Sequence, residues 1–233
     1  MLQNNISILS TRPLNEILLS KTAEKGIDIT CIPFIKTQTL ATPEIVESIQ
    51  ELATQNLHII FTSMNSVEAV IQQLHTKPNW KIFCIGGATK DVVFTFFDKE
   101  QVIATGKNAT VLSQKIIASG CKEVMFFCGD QRLNEIPETL QAHNIKVNEL
   151  IVYTTVQTPQ TIDQNFKGIL FFSPSAVHSF FSVNTLPLDV VLFAIGKTTA
   201  ATIESYCTNK IIASDWPGQE SIIDKVLEYF NEQ

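Results

Sequence analysis

The sequence predicts an α/β protein that contains two similar parallel, doubly wound domains. Short apolar runs alternate with segments of helical periodicity, and this alternation favours parallel sheets covered by helices. The chain also repeats itself, so the same architecture should occur twice. The 233 residues are 45% hydrophobic and 17% charged, a composition typical of folded globular domains.

The repeat is visible when the sequence is aligned with itself at fixed offsets. An offset of 110 residues matches "FTSMNSV" (61–67) with "FFSPSAV" (171–177), and this register holds from about residue 61 to 117. Offsets of 118 and 119 match residues 26–35 with 144–153 and place "LNEI" on a second "LNEI". The chain therefore reads as segments a, b, a, b. The repeat alone leaves open which a pairs with which b.

Each segment a begins with a strand that is followed by a helix. The apolar runs "ISIL" and "VMFFC" predict the two strands. Pro13 suits a first helical turn, because its missing N–H would have no partner there. Leu14, Ile17 and Leu18 have the spacing of a buried helix face, and Asp130 is a candidate helix cap in the second a.

Each segment b supplies three further strand-to-helix turns. "HIIFTS" and "GILFFS" predict strands, and Asn65 with Glu68 has the spacing of a capping box. "KIFCIGGAT" and "VLFAIGKTT" predict strands that end in glycine turns, and residues 101–110 and 210–220 lead into the last helices. We therefore expect eight strand-to-helix turns, four per sheet, and ligands of open α/β sheets bind at such ends.

Small polar residues are concentrated in these turns. Each of them alone is best explained as a helix N-cap. Together, free N–H groups at helix N-termini and small hydroxyls can bind anions, so the set predicts a polyanion site. The polar turn residues are Ser10, Thr11, Ser63, Asn65, Ser66, Thr89, Asp130, Ser173, Ser175, Thr198, Thr199 and Ser214.

Composition and spacing argue against several other functions. The net charge is −6 and the lysines form no basic stripe, so we expect no nucleic-acid partner. The five cysteines and four histidines lack the spacing of metal ligands, so we expect free thiols and no metal. "IGKTT" resembles the end of a P-loop, but Val191 stands where that loop needs glycine, so we expect no nucleotide cofactor.

The sequence also predicts a cytoplasmic protein that does not enter membranes. The stretch "ISILSTRP" near the N-terminus lacks the basic and apolar regions of a signal peptide. The longest unbroken apolar run, "VVLFAI", is far too short to span a bilayer.

A set of short motifs, in order along nearly the whole chain, resembles the uroporphyrinogen-III synthase family. The motifs are "TRP", "FTSMNSVEAV", "IGGAT", "VYTT", "FFSPSAVHSFF", "AIGKTTAATI" and "SIIDKV". Each is degenerate alone, and the ordered set carries the resemblance. Lys197 departs from the pattern, because many relatives have proline or another uncharged residue there, and it adds a positive charge at a turn.

The resemblance implies a particular domain organisation. It implies two α/β domains joined by a two-stranded linker, with the active site in the interdomain cleft. The first a would pair with the last b, which gives one domain at residues 1–35 plus 156–233 and the other at 36–155. The crossovers would be the matched segments 32–37 and 151–156. Adjacent pairing of a with b fits the repeat equally well.

The resemblance also implies a reaction. Hydroxymethylbilane, a linear tetrapyrrole with many carboxylates, would lose water and close with inversion of one ring to give uroporphyrinogen III. Such an enzyme is a lyase that uses no cofactor. We expect a monomer that receives its substrate by transient hand-over from the preceding pathway enzyme. The alternative is a two-domain α/β protein that binds a small anion without catalysis.

The two arginines and one tyrosine are the leading site candidates. Arg12 and Arg132 are the only arginines, and each stands just before "LNEI", where it could bind a substrate carboxylate or simply belong to a first helical turn. Tyr153 matches the tyrosine of the family's "VY" position and would donate a proton to the leaving hydroxyl, or serve as a linker aromatic. Its repeat counterpart is Ile35, which has no hydroxyl. The expected substrate-binding residues are Arg12, Ser63, Ser66, Thr89, Gly129, Arg132, Ser173, Ser175, Lys197, Thr198 and Thr199.

Overall fold

A computed structural model describes residues 5–216 and 218–231 of the chain. The strands, in chain order, are β1 (Ile6–Ser10), β2 (Ile27–Cys31), β3 (Ile35–Thr39), β4 (His58–Phe61), β5 (Lys81–Ile85), β6 (Val102–Gly106), β7 (Glu123–Gly129), β8 (Lys146–Gln157), β9 (Gly168–Phe171), β10 (Val191–Ala194) and β11 (Ile211–Ala213). The helices are α1 (Glu16–Ala23), α2 (Pro43–Ala53), α3 (Met64–Ile71), α4 (Ala88–Phe96), α5 (Ala109–Ala118), α6 (Glu135–Ala142), α7 (Pro174–Phe181), α8 (Lys197–Glu204) and α9 (Gln219–Asn231), and a short 3-10 helix spans Lys99–Gln101.

The chain divides into two compact units. Unit 1 comprises Met1–Lys36 and Val156–Gln233, and unit 2 comprises Thr37–Thr155. Unit 1 contains a five-stranded sheet of order β11-β10-β9-β1-β2. Unit 2 contains a six-stranded sheet of order β3-β8-β7-β4-β5-β6, in which β3 is an added edge strand beside β8.

The strand orders show how the repeated segments combine. In unit 1, β1 and β2 come from the first segment a, whereas β9, β10 and β11 come from the last segment b. The sheet of unit 2 joins the middle b to the middle a in the same spatial order. The family resemblance implied this pairing, which the repeat had left open. Among the described residues, both sheets contain the four strand-to-helix turns that the sequence predicted, and the sheet of unit 2 has a fifth, from its edge strand β3 to α2.

Each sheet is covered by helices on both faces, which is the doubly wound arrangement. Within β4, Ile59 and Phe61 pack in one apolar cluster with residues of α3 and α4, whereas Ile60 packs with residues of α5 and α6 on the other face. Within β10, Leu192 and Phe193 are divided between two clusters in the same way. Because successive strand side chains alternate between faces, a strand covered on both sides reads as a continuous apolar run.

Four local sequence predictions were wrong, all at helix starts. Helix α1 begins at Glu16 and is capped by Asn15, whose Oδ1 accepts from the Leu18 amide at 2.8 Å, so Pro13 precedes the helix. Ile17 is therefore rotated outwards and is 80% exposed.

Two predicted helix caps, Asp130 in the second segment a and Asn65 in the first segment b, were also wrong. Asp130 caps no helix, because its carboxylate accepts instead from the Thr154 hydroxyl and the Thr155 amide of β8. Helix α3 is capped by Ser63 rather than Asn65. In both cases the contacts that form in the folded chain, and not residue type alone, decide which side chain caps a helix.

Among the described residues, no helix combines the length and apolar character that a membrane crossing requires.

Candidate active site

Strand β7 is longer than its counterpart β1, and this changes the carboxyl end of the unit 2 sheet. Ser10 of β1 pairs with Leu170 of β9, and Phe126 of β7 pairs with Ile60 of β4. The 110-residue offset aligns Ile60 with Leu170, so Ser10 and Phe126 occupy equivalent positions in the two sheets. Strand β1 ends at Ser10, but β7 continues to Gly129. Strand β7 therefore runs three residues beyond the point that corresponds to the end of β1.

The extension of β7 places a glycine beneath the ring of Tyr153. Gly129 is buried and pairs with Tyr153 of β8, directly after an irregularity in the strand register. A Cβ atom on residue 129 would lie 2.7 Å from the Tyr153 hydroxyl oxygen and closer still to the ring. Only glycine leaves room for the tyrosine here, because carbon and oxygen cannot approach to that distance without displacement.

Ser63 gives the Tyr153 phenol a directional partner. Its Oγ accepts from the Asn65 amide at 3.2 Å as the N-cap of α3, and its hydroxyl also lies within hydrogen-bonding reach of Tyr153. Burial raises the pKa of the Tyr153 phenol, an effect that the Ser63 hydrogen bond opposes and that the neighbouring Cys128 and Asp130 reinforce. The phenol therefore keeps its proton at neutral pH.

Arg132 lies at the same strand end, and a carboxylate neutralises it. Its guanidinium donates to the Glu149 carboxylate and to the Asn134 side chain, and the Arg132 and Glu149 side chains are each 27% exposed. The hydrogen bond to Glu149 raises the pKa of Arg132. The Cys128 thiol is also adjacent, and burial raises its pKa to about 11, so it remains protonated.

These residues line one open pocket of about 320 Å³ in unit 2. Its lining includes Thr62, Ser63, Gly129, Arg132, Leu133 and Tyr153. The structure thus brings together four residues that the sequence singled out: Ser63, Gly129, Arg132 and Tyr153. With one proton donor, hydroxyl partners and an apolar wall, the pocket could hold a ring and donate one proton to it.

The two other predicted residues of unit 2 lie in buried first turns. The Ser66 hydroxyl is fully buried in α3 and donates to the Ser63 carbonyl at 2.7 Å. Thr89 is 7% exposed in the first turn of α4, which follows Gly87 at a φ of 70°. Both side chains are placed to support the local turn.

In unit 1, Arg12 has no carboxylate partner among the residues that the structure describes. The residue is exposed, and its guanidinium carbon lies 5.4 Å from the centre of the Phe172 ring. Burial of part of the side chain lowers the Arg12 pKa, but an arginine stays charged under all ordinary conditions. Arg12 is therefore a cation that stacks on an aromatic ring and has charge available for an anion.

The remaining predicted residues of unit 1 belong to helix starts. Ser173 caps α7 by accepting from the Ala176 amide at 3.2 Å, and Ser175 is half-buried in the same turn. Lys197 and Thr198 are exposed at the start of α8, whereas Thr199 is 3% exposed. Lys197 also lines an open pocket of about 500 Å³, with Ser214 and Trp216 among its other lining residues.

Sequence reasoning missed Glu149, although a signal was present. At the 118-residue offset, Glu149 matches Cys31, and the strand registers agree, because Ser10 pairs with Cys31 and Phe126 pairs with Glu149. A carboxylate within a strand, where the other copy has a thiol, marks a place where the copies have diverged. Among the described residues, no cluster of three or more His, Cys, Asp or Glu could hold a metal ion.

The comparisons with known proteins decide the family. The HEM4 family model, described as uroporphyrinogen-III synthase HemD, matches residues 18–224. The chain belongs to the uroporphyrinogen-III synthase family. The family's enzymes act in tetrapyrrole synthesis on a small-molecule tetrapyrrole substrate. A search of curated proteins found no significant match.

Solved structures agree with the fold. The uroporphyrinogen-III synthetase of Helicobacter pylori 26695 is 13% identical, with a TM-score of 0.69, over 96% of this chain and 99% of that chain. A mutant of the uroporphyrinogen III synthase from the extremely thermophilic bacterium Thermus thermophilus is also 13% identical, with a TM-score of 0.62, over 97% of this chain and 98% of that chain. At this identity the likeness supports the fold alone.

Proposed function

We propose that this chain is a lyase that converts hydroxymethylbilane to uroporphyrinogen III, with Tyr153 as the proton donor. The observation that carries the proposal is the Tyr153 phenol, which is half-buried, protonated and seated on Gly129 in an open pocket. Family membership supports the substrate class.

The hydrogen-bond pattern around Tyr153 suits a donor. Because the Ser63 oxygen accepts from the Asn65 amide, the Ser63 hydroxyl hydrogen is available for the phenol oxygen. The phenol then accepts from Ser63, and its own proton is free for a ligand in the pocket. The same Ser63 contact stabilises the phenolate that remains after proton transfer.

In the proposed reaction, loss of water comes before ring closure. The bond between the hydroxymethyl carbon and its oxygen breaks with help from the pyrrole nitrogen, and the Tyr153 proton joins the departing hydroxide as water. The resulting cation is attacked by the substituted carbon of the far pyrrole, which gives a spiro intermediate. The bond between that carbon and its original methylene bridge then breaks, the far pyrrole turns over, and the released methylene carbon bonds to the free carbon of the same pyrrole. The proton lost from that carbon restores the phenol. Since the free bilane closes without inversion, the enzyme's main contribution is to hold one conformation.

The substrate carboxylates need cations and open hydroxyls. In unit 1 we propose that Arg12 and Lys197 pair with carboxylates, supported by Thr198 and by the amides of the turns that Ser173 and Ser175 begin. In unit 2, Ser63 donates a hydrogen bond to the Tyr153 phenol, and Gly129 leaves room for its ring. The buried hydroxyls of Ser66, Thr89 and Thr199 support the same turns from within. The resemblance implies one domain at residues 1–35 plus 156–233 and another at residues 36–155. We propose that the substrate binds in the cleft between these two domains.

The cellular setting is also proposed. The five cysteines are free thiols, which suits a reducing compartment and hence the cytoplasm. We propose a monomer that takes the bilane by transient hand-over from the enzyme that makes it, because the free bilane closes spontaneously to the wrong isomer.

Isomer analysis of the product tests the proposed function. Freshly made hydroxymethylbilane is incubated with the protein, and the products are oxidised and separated by chromatography. Type III product above the uncatalysed background supports the proposal, and type I alone contradicts it. The proposal includes no cofactor, so the rate should survive exhaustive chelation and gel filtration. A tenfold loss that an added metal restores would contradict that part.

A further inference from the structure

The ion pair between Arg132 and Glu149 joins two elements that border the Tyr153 pocket. Arg132 lies in the connection between β7 and α6, and Glu149 lies on β8, four residues before Tyr153. The same guanidinium also donates to Asn134, directly before the first turn of α6. One side chain therefore fixes the β7–α6 connection both to a neighbouring strand and to the helix that follows.

The ion pair is partly shielded from water. Each side chain is 27% exposed, whereas Glu123 and Lys146, which pair across the opposite end of the same two strands, are 53% and 68% exposed. Charge-assisted hydrogen bonds with a guanidinium are stronger and more directional than ordinary ones, and shielding reduces screening by salt. The shielded pair should therefore restrain its surroundings far more than the exposed one.

Arg132 already has partners within unit 2 that compete with a substrate carboxylate. Glu149 neutralises its charge, and Asn134 occupies a further donor. Arg12 in unit 1 differs, because the residue at the strand position that corresponds to Glu149 is Cys31, which has no carboxylate. A substrate carboxylate that approached Arg132 would have to displace Glu149 and would leave that carboxylate half-buried and unpaired, which is unfavourable.

We propose that Arg132 and Glu149 are a positioning pair that holds the β7–α6 connection against the Tyr153 pocket, and that Arg132 is not a carboxylate ligand of the substrate. The inference rests on the proposed function, because it concerns the donor Tyr153. The connection contributes Leu133 to the pocket wall, so its position controls how much water reaches the phenol. Glu149 thereby becomes a functional residue that acts through others.

Exchanging Arg132 and Glu149 distinguishes a positioning role of Arg132 from a substrate-binding role. We expect R132Q and E149Q each to lower kcat about 10-fold with KM changed by less than about 2-fold, and the double variant to be no worse than either single one, since both remove one contact. The exchanged variant R132E/E149R should recover most of the lost kcat. If Arg132 binds substrate, R132Q should instead raise KM, and the exchanged variant should be as impaired as R132E. The matched control is E123Q, which should leave both constants unchanged.

A titration of Tyr153 makes the test independent of turnover. The protein is labelled with ¹³C-tyrosine, and the Tyr153 signal is identified by its loss in Y153F. If the pair holds the pocket closed to water, R132Q should lower the pKa of Tyr153 towards its ordinary value, because burial no longer raises it as strongly. Simple loss of a positive charge would instead raise that pKa. A raised or unchanged pKa in R132Q would overturn the proposal.

The conservative variant R132K guards against misfolding of the exchanged one. Lysine keeps the charge but cannot reach Glu149 and Asn134 with one planar fork, so we expect an intermediate kcat and an intermediate Tyr153 titration. Full activity in R132K together with a wild-type titration would contradict a positioning role. If Y153F retains activity while R132Q still shifts the Tyr153 titration, the donor assignment fails and the positioning pair stands.

Discussion

The two units have the same strand order but differ at the carboxyl ends of equivalent strands. In unit 2, β7 runs three residues further than β1, and that extension carries Gly129 to Tyr153. In unit 1 the first strand stops at Ser10, and Ile35, the sequence counterpart of Tyr153, packs against an apolar cluster. The extension and the tyrosine occur together, which links a small change of strand length to the appearance of a candidate catalytic group.

Unit 1, which lacks the tyrosine, has the arginine whose charge is not neutralised by a carboxylate among the described residues. Arg12 stacks on Phe172, and the strand position that holds Glu149 in unit 2 holds Cys31 in unit 1, so the charge of Arg12 is available for an anion. Arg132 is already paired within unit 2. The two units share these helix starts, because a serine caps both α3 and α7, although Ser63 accepts from the amide two residues on and Ser173 from the amide three residues on. We propose that divergence then left unit 2 to supply the proton donor and unit 1 to supply the positive charge. Four expected outcomes test this division.

The largest effect is expected for Tyr153→Phe. Loss of one hydrogen bond to a developing hydroxide costs roughly 2–4 kcal/mol of transition-state stabilisation, so kcat should fall about 30- to 1000-fold with a smaller change in KM. The surviving product should remain type III, because inversion depends on how the far pyrrole is held. The control is Ile35→Val in the other unit, which should alter activity little. Nearly full kcat in Tyr153→Phe would make a bound water the donor.

Arg12→Ala should act on binding instead. A charge-assisted hydrogen bond contributes roughly 1.5–3 kcal/mol, so steady-state kinetics should show KM raised about 10- to 100-fold with kcat nearly constant. Thermal unfolding should change little, because the side chain is exposed and forms no ion pair among the described residues. Arg12→Lys keeps the charge and should recover part of the affinity. A collapse of thermal stability with KM unchanged would make Arg12 a structural residue.

Gly129→Ala tests whether the Tyr153 ring depends on the missing Cβ. The new methyl group would overlap the phenol, so the ring should shift, kcat should fall about 10-fold, and the free energy of unfolding should drop by about 1–3 kcal/mol. Gly86→Ala is the control, since a Cβ there meets only the Gly106 carbonyl oxygen at 3.7 Å, an ordinary contact. Equal behaviour of the two variants in denaturant titration and kinetics would show that the close approach is unimportant.

The sequence predicted the fold better than it predicted the site. Alternating apolar strands and helical stripes are local signals, and the ordered motifs identified the family and its discontinuous pairing. The extension of β7 stayed hidden, because the matching "LNEI" letters set a register for the helices that differs from the register of the strands. Glu149 was missed because a partner across two strands is a tertiary contact. The predictions for Pro13 and Asp130 were wrong because residue type indicates only a preference for helix starts, whereas the contacts that compete with it form in the folded chain.

The smallest effect compares the two serine caps directly. Ser63→Ala and Ser173→Ala each remove the N-cap serine from one of two equivalent helices, so each should lower the free energy of unfolding by about 1 kcal/mol. Only Ser63 also contacts the Tyr153 phenol, so Ser63→Ala alone should lower kcat, by about 3- to 5-fold for one neutral hydrogen bond. Its loss also removes the one contact that opposes the raised pKa of Tyr153, so the phenol should titrate at a still higher pH. Chemical denaturation, kinetics and the tyrosine titration check the three quantities separately. If both variants lower kcat equally, the cap and not the phenol contact is responsible, and the two units would be more alike in function than their strand ends suggest.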